Sequence, residues 1–282
     1  MVTLEKLNMN PDERLMYLNA ALDAVFDQVT EAGYEVVYLA LQGSQNYNLD
    51  TYTDEYVSDV DMKCFVMPSF EDLYFNKQVS TTLKTGFGQV EVKDLRLFTD
   101  LLGKMNSSYL ELLYTLYYRT SAKYSTLVKE LRSYRDKLVE ERLPLLMKSM
   151  YGMCLEKQKA LCHEYEGLKD KLETYGGYDP KQLHHALRMT MMMDGLMYGR
   201  SYSEVLKFEG TSRQFLLDVK VHGVNSKENA VRMMNKTLEV AQSRRNLVWD
   251  GNTLVNNFQV SSETLKNVRD LVFKMVKQGL MV

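Results

Sequence analysis

The stretch Glu35-Val-Val-Tyr-Leu-Ala-Leu41 is apolar from its second residue to its last and stops just short of Gly43-Ser44. A run this short, rich in β-branched and aromatic side chains and without a polar position, has no face to give to water and reads as a buried strand. Its surroundings follow from that. Upstream, Pro11-Asp12-Glu13 opens a helix with proline in the first turn and acids beside it, and Leu15, Leu18, Leu22 and Val25 recur at helical spacing up to a stop at Gly33. Downstream, Asp59 to Met67 alternates Val60, Met62 and Cys64 with Asp61, Lys63 and Phe65 before Pro68, which predicts a second strand with Asp59 and Asp61 on one face. Ser69 starts a helix, and Gly86-Phe87-Gly88 leads into a third strand, Gln89 to Leu95.

From Phe98 onward helical patterns dominate. They include a long span from Pro144 to about Leu172, a break at Gly176-Gly177, a restart at Asp179-Pro180 as N-cap and first-turn proline, and later helices near 225–247 and 261–279. The expected architecture is therefore α/β followed by α, with a short mixed sheet over 1–120 and a helical domain over 121–282.

Composition restricts the function classes. The 282 residues are 45% hydrophobic and 26% charged, and 35 Lys and Arg against 37 Asp and Glu leave a formal charge of −2, so any anion site must be local rather than a basic field over the whole chain. Cys64, Cys154 and Cys162 lack metal-ligand spacing, and the first residues lack the basic-then-apolar pattern of a leader. A reducing, cytoplasmic setting without membrane association is the expectation. No zinc spacing, Ser/His/Asp hydrolase order or dinucleotide glycine motif is present.

Carboxylates two apart on a strand project to the same side and can hold a divalent cation, and Mg²⁺ takes one or two protein carboxylates and fills the rest of its shell with water and phosphate oxygens. A glycine at a strand end lets backbone N–H groups approach a phosphate. Gly43-Ser44 and Asp59/Asp61 together thus predict a phosphate cradle beside a metal site.

Leu41-Gln-Gly-Ser-Gln-Asn-Tyr47 followed by Ser58-Asp-Val-Asp-Met-Lys63 resembles the signature of the DNA-polymerase-β-like nucleotidyltransferase superfamily. Lys93-Asp-Leu-Arg-Leu-Phe98, Asn106, Leu110-Glu-Leu-Leu-Tyr-Thr115 and Gly177-Tyr-Asp-Pro-Lys-Gln-Leu-His-His-Ala-Leu-Arg188 are similar to blocks of its RNA-repair-associated branch in bacteria and phages, over roughly residues 35–220. One departure is Asn48, where that branch favours glycine. The resemblance implies an enzyme that moves NMP from an NTP to an acceptor hydroxyl, with Mg²⁺ or Mn²⁺ and an RNA or tRNA acceptor, protein and small-molecule acceptors remaining open. It implies that Ser44 contacts the terminal phosphates, that Asp59 and Asp61 ligate metal, and that a third carboxylate on a neighbouring strand helps deprotonate the acceptor. Glu91, alternating outward between Val90 and Val92, is the candidate for that acid, with Asp94 as the alternative that would otherwise cap the next helix. A non-catalytic nucleotide- or RNA-binding module of the same fold is the competing expectation.

Lys181, His185 and Arg188 fall at i, i+4 and i+7 on one helical face, able to bind phosphates or else to pair within the protein; His184 points elsewhere, toward packing or the surface. The methionines from Met189 to Met193, with Met197, read as adaptable core, and Tyr47 and Tyr52 as base-stacking or packing residues beside the motif.

Overall fold

The computed structural model describes residues 9–53, 56–164, 166–251, 253–255 and 258–281, so the opening residues read above for a leader pattern lie outside it. In chain order the helices are α1 (Pro11–Glu31), α2 (Phe70–Tyr74), α3 (Leu95–Gly103), α4 (Ser107–Leu110), α5 (Ser125–Ser133), α6 (Arg135–Ala160), α7 (Lys169–Thr174), α8 (Pro180–Met197), α9 (Tyr202–Val205), α10 (Gly210–Val221), α11 (Lys227–Asn246) and α12 (Glu263–Leu280). The strands are β1 (Val36–Leu41), β2 (Met62–Val66), β3 (Ser80–Lys84), β4 (Gln89–Asp94) and β5 (Tyr118–Arg119), with a small hairpin of β6 (Trp249–Asp250) and β7 (Thr253–Leu254). The chain is thus mixed α/β with a helical C-terminal part, as expected.

It forms two compact units, one of residues up to Glu141 together with those from Ser261 on, the other from Arg142 to Val260. The sequence expectation had drawn the border near residue 120 and assigned everything beyond it to the helical domain. The structural division instead falls inside α6, where Arg142 leaves helical geometry (φ −130°, ψ 19°). Pro144 explains the kink, since its ring removes an N–H and crowds the preceding turn. The helix expected from Pro144 to Leu172 accordingly starts earlier, at Arg135, and ends at Ala160, with α7 a separate short helix. The chain re-enters the first unit where Ser261 N–H donates to Glu141 O (3.0 Å) and the Glu141 carboxylate accepts from Thr264 N–H and Oγ1 (3.0 and 2.7 Å).

In the first unit the sheet order is β3-β4-β2-β1-β5. β2 is antiparallel to β1 and parallel to β4, with Leu41 opposite Met62 and Lys63 opposite Glu91. Leu18, Leu22, Val25 and Val29 of α1 pack against one sheet face, where Leu39, Leu41, Met62, Cys64, Val90 and Val92 are buried. The capping box between Asn10 and Glu13 fixes the start of α1. On the opposite face Phe98 of α3 stacks on Phe65 of β2 (centroids 4.1 Å) and on Tyr38 of β1 (6.3 Å), so β1 is covered on both sides as its uninterrupted apolar run demands. The β3 edge strand, Ser-Thr-Thr-Leu-Lys, is mostly exposed and had no apolar alternation to announce it.

In the second unit α8 packs against α10 and α11, burying Met189, Met192 and Met193 as core. Among the described residues no helix is long and apolar enough to cross a membrane.

Candidate functional site

Because β1 and β2 run antiparallel and β2 and β4 parallel, the end of β1 and the starts of β2 and β4 meet at one end of the sheet. Gly43, just past β1, has φ +88°, a left-handed conformation that glycine adopts without a Cβ penalty. Its N–H donates to Glu111 Oε1 at 2.7 Å. The chain then closes a turn through Asn46 N–H to Gly43 O (3.0 Å) and Leu49 N–H to Ser44 O (2.9 Å). Asn48 sits at φ +57°, a left-handed conformation that asparagine is among the side chains to tolerate. The segment is a turn and not a helix.

The aspartates precede β2, which begins at Met62 and not at Asp59. Their alternation nevertheless holds: Asp59 is exposed and Asp61 half-buried, while Val60 and Met62 are buried. Gln42 N–H donates to Asp61 O (3.0 Å) and Gln45 Nε2 to Asp59 O (2.8 Å), so the Gly43-Ser44 turn is hydrogen-bonded to the aspartate segment at two points. From the other side Val60 N–H donates to Phe87 O (2.9 Å) and Gln89 N–H to Asp61 Oδ1 (3.3 Å). Gly88 is required by that approach, since a Cβ there would stand 2.9 Å from Val60 O. Arg14 of α1 braces the turn by clasping buried Asp50 (2.5 and 2.8 Å) and reaching Gln45 O (3.3 Å). Tyr17, ring-to-ring with Tyr52 and Phe87 (both 5.7 Å), has its hydroxyl pKa raised by burial and by the charge of Asp59. Tyr47 and Tyr52 are buried, which makes them packing residues rather than stacking platforms.

Glu91 faces away from buried Val90 and Val92, as alternation required. Its carboxylate is fully engaged. Lys63 pairs with Oε2, Lys93 with Oε1 at 2.9 Å, and the Tyr109 hydroxyl donates to it at 3.0 Å. Lys63 is buried, with its ammonium 4.1 Å from the Tyr109 ring centre. Burial lowers the Lys63 pKa, opposed by Glu91 and Asp61; burial alone would raise that of Glu91, but the two lysines hold it below its ordinary value. Asp94 is buried and caps α3, accepting from Arg96 N–H (2.8 Å) and pairing with the Arg96 guanidinium. Among the described residues no three His, Cys, Asp or Glu side chains converge as a metal site. Sequence reasoning missed Lys63, Tyr109 and Glu111 as members of this corner. Lys63 shares the parity of Asp59 and Asp61 and could have been found; Tyr109 and Glu111 arrive from α4 and the 3₁₀ turn Glu111–Leu113, which no local pattern ties to the strands.

Lys181, His185 and Arg188 lie in the second unit, on α8, whose N-cap Asp179 accepts from Lys181 N–H (2.9 Å) and pairs with Lys171 (2.7 Å). Lys181 and His185 are half-buried, but Arg188 is only 6% exposed. Burial, then Arg188, His184, Lys157 and Lys181 hold His185 well below its ordinary pKa, so it is neutral amid three cations. His184 is core: its Nδ1 lies 2.9 Å from Leu216 O and must carry the proton, and burial lowers its pKa to about 3.

No protein-family model matches the chain, and no curated protein matches it at a significant level.

Proposed function

We propose that the chain is a metal-dependent nucleotidyltransferase that moves NMP from an NTP to an acceptor hydroxyl, with an RNA or tRNA end as the acceptor class. The observation that carries this reading is the hydrogen-bonded junction of the Gly43-Ser44 turn with the Asp59–Asp61 segment through Gln42 and Gln45. An exposed and a half-buried carboxylate on one face suit Mg²⁺ or Mn²⁺, which leaves the rest of its shell to water and phosphate. Asp59 and Asp61 would hold the ion, which when bound neutralises triphosphate charge and activates the attacking hydroxyl. Ser44, at the open start of the turn, would donate its hydroxyl to the terminal phosphates. Arg14 and Gln45 hold that turn in register with the aspartates. Glu91 does not suit the role of metal ligand, because both its oxygens are taken.

The same occupancy of Glu91, and of the Gly43 N–H by Glu111, favours the second reading, a nucleotide- or RNA-binding module without turnover. Incubation with each α-labelled NTP, Mg²⁺ or Mn²⁺ and either total RNA or total protein distinguishes the two. Label in one macromolecular pool, lost on Asp59→Ala, is the expected outcome. Nucleotide binding without any label transfer would overturn the enzyme in favour of the module.

A further inference from the structure

The face of β2 that continues the line of Asp59 and Asp61 carries Lys63 next, directly opposite Glu91 on β4. A lysine is an odd neighbour for a metal site, and this one is no mobile surface group. Its side chain is 8% exposed, its ammonium lies over the Tyr109 ring, and Tyr109 donates to the same carboxylate that Lys63 grips. Lys93 closes the other oxygen of Glu91. A divalent ion seeking to use Glu91 together with Asp61 would have to displace an ammonium held by Glu91 and the Tyr109 ring and approach against a second one, and like charges at such range repel strongly where water is scarce.

We propose that the Lys63 ammonium occupies the place at Glu91 that a second divalent cation would need, so that the site takes a single ion on Asp59 and Asp61. In that arrangement Lys63 supplies a fixed positive charge toward the bound triphosphate, and Glu91 serves as its counter-charge and positioning residue rather than as a ligand or proton acceptor. This rests on the reading of Asp59 and Asp61 as metal ligands. It accounts for the full engagement of Glu91, which that reading alone leaves without a reason.

Mn²⁺ titration followed by the electron paramagnetic resonance of the free ion counts sites without any need for turnover. The intact chain should bind one ion, and Lys63→Arg should also bind one. Lys63→Ala, which removes the ammonium paired with Glu91 Oε2, should bind two. Two ions on the intact chain, or a Lys63→Ala variant that stays at one, would overturn the proposal while leaving the metal reading of Asp59 and Asp61 in place. No bound ion at all would overturn that underlying reading instead. Should Lys63→Ala fail to fold, Lys63→Met, which fills the same space without the charge, decides the matter: it should bind two ions, and a count of one would refute the proposal.

Discussion

The corner of the first unit that joins Gly43-Ser44 to Asp59 and Asp61 and the face of α8 that carries Lys181, His185 and Arg188 were both singled out by charge and spacing, yet the fold treats them differently. In the first, the charged groups lie on backbone just outside the strands, where side chains can reach solvent while backbone hydrogen bonds to Gln42, Gln45 and Phe87 fix their position. In the second, the residues lie along a helix buried by α10 and α11, and helical spacing carries Arg188 into the packed interior while Lys181 stays nearer water. Charge at the end of an element stays within reach of solvent, whereas charge on a buried helical face is first of all part of the packing.

The largest effect should separate the two regions outright. Asp59→Ala or Asp61→Ala should lower NMP transfer by several orders of magnitude, with stability changed by no more than about 0.5 kcal/mol for exposed Asp59 and about 1 kcal/mol for Asp61, whose side chain accepts from Gln89 N–H. Transfer within tenfold of the intact chain in a label assay would erase the distinction. Arg188→Ala should behave in the opposite way, costing about 2–3 kcal/mol in urea denaturation through lost packing and a disrupted buried charge. An unchanged midpoint with weakened binding of inorganic triphosphate would return Arg188 to the ligand-binding class.

A pH test sharpens the comparison further. His184 titrates at about 3 in the fold against 6.5 when unfolded, so between those values the unfolded chain binds the extra proton. Its stabilising contribution is complete above about pH 6.5 and is lost as pH falls toward 3, with a slope of up to about 1.4 kcal/mol per pH unit. His184→Gln should flatten the acid limb of a denaturation series; an unaltered slope would mean that His184 is not the group responsible. Asp94→Asn should cost about 1–2 kcal/mol with transfer retained, since it keeps an oxygen to cap α3 but removes the buried charge facing Arg96; abolished transfer would instead make Asp94 the third acid. The smallest effect belongs to Lys181→Ala, under about 0.5 kcal/mol in the melting curve, and a larger loss would place Lys181 with Arg188 in the packing.

What the sequence could show follows from how local each signal is. Proline at the start of α1 and of α8, and the apolar run of β1, act within a turn or a strand and were legible. So was the shared face of Asp59 and Asp61, because alternation persists in extended backbone even where no ladder forms. The strand start at Met62, the exposed edge β3, the pairing of Lys63 with Glu91 and the reach of Glu111 to Gly43 depend on which segments become neighbours, and no local pattern carries that. The border of the units lies elsewhere for the same reason: most of residues 122–141 are helical, but they belong to the first compact unit, and Pro144 rather than the change of pattern marks the break.

The return of α12 to the first unit sets an order of events during synthesis. Gly279 fits so closely to Met67 that a Cβ would stand 2.6 Å from its sulfur, and Glu141 holds both Ser261 and Thr264. The first unit therefore cannot close until the ribosome has passed through all of residues 142–260, which leaves the inner unit free to fold first while its host waits with one flank uncovered. The same contact between Glu141 and Ser261 places the two ends of the inserted unit side by side, so a direct splice across them is where the chain could be cut down to its outer unit, and where a different insert could be carried.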